Sequence, residues 1–145
     1  MDLQPAIEAA YITGWRIHDE IFTRQKHHAD LKGRGWLRLD PCETKNGEGR
    51  NFLFTARLRE IIEQQLERTK ALEKATGRII PWLFHRDGKA IKTFRRSWLS
   101  AFVKAGLGTE IRSADGKLIK KIGNRIPHDF RRTAVRNLER AGVSP

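Results

Sequence analysis

The sequence predicts an α+β domain, mostly helical, with a small three-stranded antiparallel sheet. Two observations carry that expectation. Apolar residues recur three and four apart in four separate stretches, the signature of helices with one buried face. Between residues 29 and 55 that spacing gives way to short β-type runs broken by glycine-rich turns. The length of 145 residues suits a single domain, 1–145, with one modest core.

The elements follow in order. "LQPAIEAAYITGWR" reads as a helix closed by Gly14, since glycine enters the left-handed turn at a helix end without steric cost. "RIHDEIFTR" resumes helically, with Ile17 and Ile21 four apart. "ADL", "WLRLD" and "RNFLFT" are the three strands, parted by "KGRG" and by "PCETKNGEG", whose Asn46-Gly47 is a hairpin-turn signal. A long helix then runs through "ARLREIIEQQLERTKALEKATG", with Leu58, Ile61, Ile62, Leu66, Leu72 and Ala75 on one side and Gly77 at its end. "IIPWLFHRDGKAI" is a short apolar stretch with a turn at Asp87-Gly88. "KTFRRSWLSAFVKAG" aligns Phe94, Trp98, Phe102 and Ala105 and is expected to be a buried helix. Residues 107–126 are basic and glycine-rich and read as a loop, or as a hairpin about Asp115-Gly116. The final helix starts near Pro127, a residue suited to a first turn.

Composition narrows the function. Apolar residues make up 39% of the chain, enough for a packed globule, while the formal charge is +12 and the isoelectric point about 10.6. That excess favours a polyanionic partner, nucleic acid before an anionic membrane surface. No apolar run is long enough to span a bilayer, and the start lacks a signal peptide's apolar stretch. Cys42 is the single cysteine, which excludes an intrachain disulfide and points to a reducing setting, cytoplasmic or nuclear.

Three local signals could carry chemistry. In the last helix, Phe130, Ala134, Leu138 and Ala141 fall within about 90° of arc and face the core. Arg131 borders that stripe beside His128, while Arg132, Arg136 and Arg140 point outward. A guanidinium edge at a core boundary calls for an anion, either a phosphate matched to its planar fork or a structural carboxylate. Arg16 stands in "TGWRIHDE" at a helix junction, with Asp19 three residues on to orient it. The alternative is an ordinary surface salt bridge. Lys45 stands at the hairpin tip, either a solubilising cation or an ammonium inserted into bound DNA as a general acid. His27 and His28 are adjacent with no matching Asp, Glu or Cys cluster in sequence, so no metal site is expected.

The ordered set "TGWR", "TKNG" in a hairpin and "HDFRRTA…AGV" resembles the catalytic domain of tyrosine recombinases of the phage-integrase family, over about residues 5 to 145. The resemblance implies site-specific DNA integration or recombination by strand cleavage and rejoining through a phosphotyrosyl link, with no metal or other cofactor. It implies catalytic roles for Arg16, Lys45, His128 and Arg131, a supporting role for Asp19, and double-stranded DNA as partner. The family continues beyond its "AGV" to the nucleophilic tyrosine, and it also carries an N-terminal DNA-clamping domain. Here Tyr11 is the one tyrosine, and among Ala9, Ala10 and Ile12 it is expected to be core packing. The chain is therefore expected to be a fragment, such as a prophage remnant, that binds DNA without cleaving it. The full-length parent would be tetrameric on DNA and the fragment monomeric. The alternative is a non-catalytic DNA-binding module on the same scaffold. Residues 112–140 hold nine Lys or Arg against three acids, so Lys120, Lys121, Arg125, Arg132 and Arg136 are the expected backbone contacts.

Overall fold

The computed structural model describes residues 3–43, 47–123 and 127–142. Helix α1 (Gln4–Thr13) ends at Gly14, whose φ of 69° is the left-handed value expected there. The chain then makes one turn of π-helix over Ile17–Ile21, followed by a short 3₁₀ turn at Lys26–His28. Strands β1 (Ala29–Asp30), β2 (Trp36–Leu39) and β3 (Arg50–Leu53) form an antiparallel sheet in the order β1-β2-β3, pairing Leu37 with Phe52 and Leu39 with Arg50. Strict alternation along β2 places Leu37 and Leu39 in the core and leaves Trp36 and Arg38 outside.

Helix α2 (Ala56–Thr76) starts at Thr55, whose hydroxyl accepts the Leu58 N–H at 3.2 Å, and stops at left-handed Gly77. A tight hairpin, β4 (His85–Arg86) and β5 (Lys89–Ala90), turns at Asp87 and Gly88, both with positive φ. Helix α3 (Arg95–Lys104) leads into a second hairpin of β6 (Gly108–Arg112) and β7 (Leu118–Gly123), and α4 (Asp129–Arg140) closes the described chain. The core gathers Ala6, Ala9 and Ala10 of α1, Leu58, Ile61 and Ile62 of α2, and Ile17, Ile21, Leu37, Leu39, Leu83 and Phe84. Helix α4 lies against α1. A Cβ on Gly14 would stand 3.2 Å from that of Ala134, so the missing side chain permits this close approach.

The α+β class with a three-stranded antiparallel sheet is therefore correct, and the structure alters several details. Helix α3 is not buried: none of its residues is, and Trp98 and Phe102 are only half covered while Ala105 is exposed. Its apolar face lines an open cleft of about 450 Å³ with Leu3, Ile7 and Leu107. Within the basic stretch expected as a loop or a hairpin, residues 108–123 form the hairpin, and residues 124–126 lie outside the described residues. The apolar stripe of α2 is sealed only through Thr69, and Ala75 is exposed. Along α4 only Ala134 is buried, with Leu138 and Ala141 exposed. Tyr11 is a surface ring instead of core packing. It lies edge-on to Phe130, and its hydroxyl accepts from Asn137 Nδ2 at 3.2 Å. Among the described residues no helix is long and apolar enough to cross a membrane.

Candidate active site

Arg16 opens the π-turn. Its carbonyl accepts the N–H groups of both Glu20 (2.9 Å) and Ile21 (3.0 Å), and the Phe22 N–H returns to Ile17 at 2.9 Å. The five-residue return widens the helix by one residue, a feature found often at functional sites. Ile17, Ile21 and Phe22 anchor this wide turn in the core. It carries Glu20 back beneath Arg16, where one carboxylate oxygen, Oε2, accepts the Arg16 backbone N–H at 2.7 Å. The other, Oε1, accepts from Arg16 Nη1 at 3.3 Å.

Arg131, on the first turn of α4, reaches the same carboxylate. Its Nη1 donates to the Gly14 carbonyl at 3.2 Å and lies 3.9 Å from Glu20 Oε2. Glu20 is only 1% exposed, whereas the arginine side chains are 30% and 29% exposed. The two guanidinium groups, 115 positions apart in sequence (131 − 16), are thus tethered from below by one buried acid and keep an outer side open to solvent. Such an arrangement holds two forks of hydrogen-bond donors in place before any anion arrives.

His128 precedes α4, exposed and one turn from Arg131, whose backbone N–H it accepts at 3.1 Å through its carbonyl. Its imidazole has no hydrogen-bond partner among the described residues, which leaves it able to accept a proton or donate one to a ligand. Lys45 and Arg125 lie outside the described residues. Asp19 does not orient Arg16: it is 70% exposed and pairs with the His18 ring at 3.3 Å. The extra residue in the π-turn is the reason, because it brings the fourth position round to Arg16 where a tighter turn would bring the third. Glu20 is the residue the sequence reading missed, although its i,i+4 spacing from Arg16 was a usable signal.

Arg24 was also missed. It is fully buried and joins three segments, donating from Nε to the Glu20 carbonyl (2.7 Å) and from Nη1 to the Arg38 carbonyl (2.8 Å) and to Glu43 (2.8 Å). Burial by itself would raise the Glu43 carboxyl pKa, but Arg24's hydrogen bond and charge outweigh it and hold the group below the usual range.

The expected absence of a partner for His27 and His28 needs correcting, since Asp40 comes within reach of both rings. Hydrogen bonding nevertheless accounts for this group. His28 Nδ1 accepts the Gln25 N–H at 3.0 Å, so the neutral ring carries its proton on Nε2, facing Asp40 at 3.3 Å. A metal on Nε2 would have to displace that proton. Burial, then the nearby Arg24 charge, lowers the pKa of His28.

The expected DNA contacts divide. Lys120, Arg132 and Arg136 are exposed, Arg132 standing 3.7 Å from Asp129. Lys121 is half-buried and works inside the fold, donating to Ser100 Oγ at 3.1 Å and pairing with Glu110 at 3.4 Å. No family model matches the chain, and neither does any curated protein.

Proposed function

We propose that this chain is the phosphate-gripping part of a tyrosine-recombinase catalytic domain. It acts on double-stranded DNA, whose strands are cleaved and rejoined through a phosphotyrosyl intermediate. The supporting observation is the convergence of Arg16 and Arg131 on the single buried carboxylate of Glu20. A surface salt bridge needs no second arginine from a distant helix, whereas two guanidinium forks suit a phosphate with several oxygens.

In this reading a tyrosine oxygen forms a bond to the phosphorus while the bond from phosphorus to the 5′ oxygen breaks. Charge growing on the non-bridging oxygens is met by Arg16 and Arg131. Glu20 positions both guanidinium groups, His128 holds the phosphate or accepts the tyrosine proton, and Lys45 protonates the leaving oxygen. Tyr11 is not the nucleophile in this scheme, because its hydroxyl is engaged by Asn137 on the outer side of α1. The same engagement favours a second reading for the chain by itself, a DNA-binding module that grips phosphate without cutting.

The test uses a parent protein that supplies the tyrosine and a nicked suicide duplex, with covalent protein–DNA adduct as the readout. Adduct should form and should fall at least about 100-fold in Arg131→Ala, the scale on which loss of one oxyanion donor acts. Undiminished adduct in Arg131→Ala would refute the assignment of the site. No adduct from the unmutated parent would leave the binding module as the better description.

A further inference from the structure

We propose that the clefts beside β5, α3 and β7 form one continuous track for the backbone of duplex DNA. Most of the duplex then lies along this track, not along the outer face of α4. The proposal rests on the DNA reading above but on a separate set of residues.

Three clefts are linked through shared lining residues. The first, about 500 Å³, is bordered by Lys89, Lys92 and Thr93. It shares Thr93 with a second of about 470 Å³ whose lining includes Arg95, Leu99, His18 and Pro127. The second shares Leu99 with a third of about 360 Å³, where Arg96 and Lys120 stand. The middle cleft is therefore lined by His18, two residues from Arg16, and by Pro127, next to His128. A direct tie fixes that junction: the His18 ring Nε2 donates to the Lys92 carbonyl at 2.6 Å, linking the end of β5 to the π-turn.

The lining carries seven Lys or Arg and one acid, Asp87, against 29 and 17 in the whole chain. Lys89, Lys92, Arg95, Arg96 and Lys120 are exposed, and none pairs with a carboxylate among the described residues. Unanswered cations concentrated along a concave path match a row of phosphates.

The aromatic residues decide the kind of nucleic acid. Phe94 and Trp98 border the middle cleft, but their rings are held edge-on against others: Phe22–Phe94 at 5.3 Å and Trp98–Phe130 at 5.4 Å between centroids. The exposed aromatic rings, Tyr11 and Trp36, line none of the three clefts. Single strands are gripped by stacking bases on free rings. A track of cations without a free aromatic ring suits a duplex whose bases stay paired.

The test measures binding of the 145-residue chain to a fluorescein-labelled duplex of arbitrary sequence by anisotropy, across a series of NaCl concentrations. Removing four track charges in K89A/K92A/R95A/R96A should lower the slope of log K against log[salt] by about 0.9 for each phosphate no longer neutralised, hence by about 2 to 4. The outer-helix variant R132A/R136A/R140A should change it by less than half as much. Should the quadruple variant fail to fold by circular dichroism, K89A/K92A on the exposed hairpin replaces it, with an expected drop of about 1 to 2. A slope equal to the parent's in the track variant, or a larger drop in the α4 variant, overturns the track. A single-stranded RNA that competes better than duplex DNA at equal nucleotide concentration overturns the choice of partner. The two proposals fail separately. Adduct lost in Arg131→Ala with the track variant at parental slope sinks the track alone. A lowered slope with undiminished Arg131→Ala adduct sinks the active site alone.

Discussion

Replacing Glu20 by alanine tests whether one buried acid holds the arginine pair. The carboxylate accepts the Arg16 N–H at 2.7 Å and faces guanidinium nitrogens at 3.3 and 3.9 Å. Orphaning that backbone N–H costs about 1–3 kcal/mol. Removing one buried methylene adds about 0.8 kcal/mol. Breaking a fully buried ion pair would cost about 3–5 kcal/mol. Here both arginines reach solvent, so the residual Coulombic loss is about 0.5 kcal/mol. The sum is about 3 kcal/mol, equivalent to a fall of roughly 10 °C in melting temperature for a domain of this size. Asp19→Ala, one position earlier and exposed, should stay within about 0.5 kcal/mol of the parent. Urea unfolding at pH 7, followed by tryptophan fluorescence with Trp15 in the core, measures both. A loss below about 1 kcal/mol for Glu20→Ala, or equal losses for the two variants, would refute the reasoning.

Two further predictions concern the frame. Gly14→Ala forces a left-handed φ of 69° on a residue with a side chain and sets its Cβ 3.2 Å from Ala134. It should cost about 1–2 kcal/mol or more, visible as a lower urea midpoint at unchanged m-value. An unchanged midpoint would mean that α4 does not need this close approach. His85 donates from Nε2 to Thr69 at 2.9 Å and accepts the Gly88 N–H on Nδ1 at 3.1 Å, so a second ring proton would oppose Gly88. Burial lowers its pKa from the ordinary 6.5. Between the two values the unfolded chain binds the extra proton and the folded one does not. Its contribution to stability is therefore complete above pH 6.5 and declines as pH falls toward the depressed folded value. His28 shifts in the same direction, so His85→Gln should flatten the fall in urea midpoint between pH 7 and pH 5 without abolishing it. An equally steep fall in the variant would rule out the His85 contribution.

What could be read from the chain alone was local. Gly14 and Gly77 each close a helix because a left-handed terminus is a backbone demand that composition records directly. The three strands of the sheet were legible from alternation and turn residues for the same reason. Burial was less so. The Phe94–Trp98–Phe102 stripe announces an apolar face on α3, but only the packed chain shows that just part of it is covered. The hairpin of residues 108–123 competed with its own glycine- and lysine-rich composition, and only cross-strand pairing such as Glu110 with Lys121 decides it. In the site, the structure brings Arg16 and Arg131 to the Glu20 carboxylate, and both were singled out in sequence. Their organiser was not, since Asp19 and Glu20 differ by one position and a π-turn, a tertiary accommodation, selects between them. Arg24 escaped notice because a buried arginine is marked only by acceptors that come from other segments, here Arg38 and Glu43.

The four residues "TGWR" join these levels. Thr13 ends α1, its hydroxyl donating to the Ala9 carbonyl at 2.7 Å and accepting the Trp15 N–H at 3.2 Å. Gly14 turns the chain, admits Ala134 of α4 and offers its carbonyl to Arg131. Trp15 anchors the turn in the core, and Arg16 emerges two residues beyond the carbonyl that holds its counterpart. The distance between the two guanidinium groups is consequently set by backbone and a buried carboxylate, with little left to surface side-chain freedom. Two arginine charges less one from Glu20 leave a net of one positive charge at this point. A phosphodiester carries one negative charge, so in the proposed reading a bound diester would be neutralised there without a surplus that favours a free dianion.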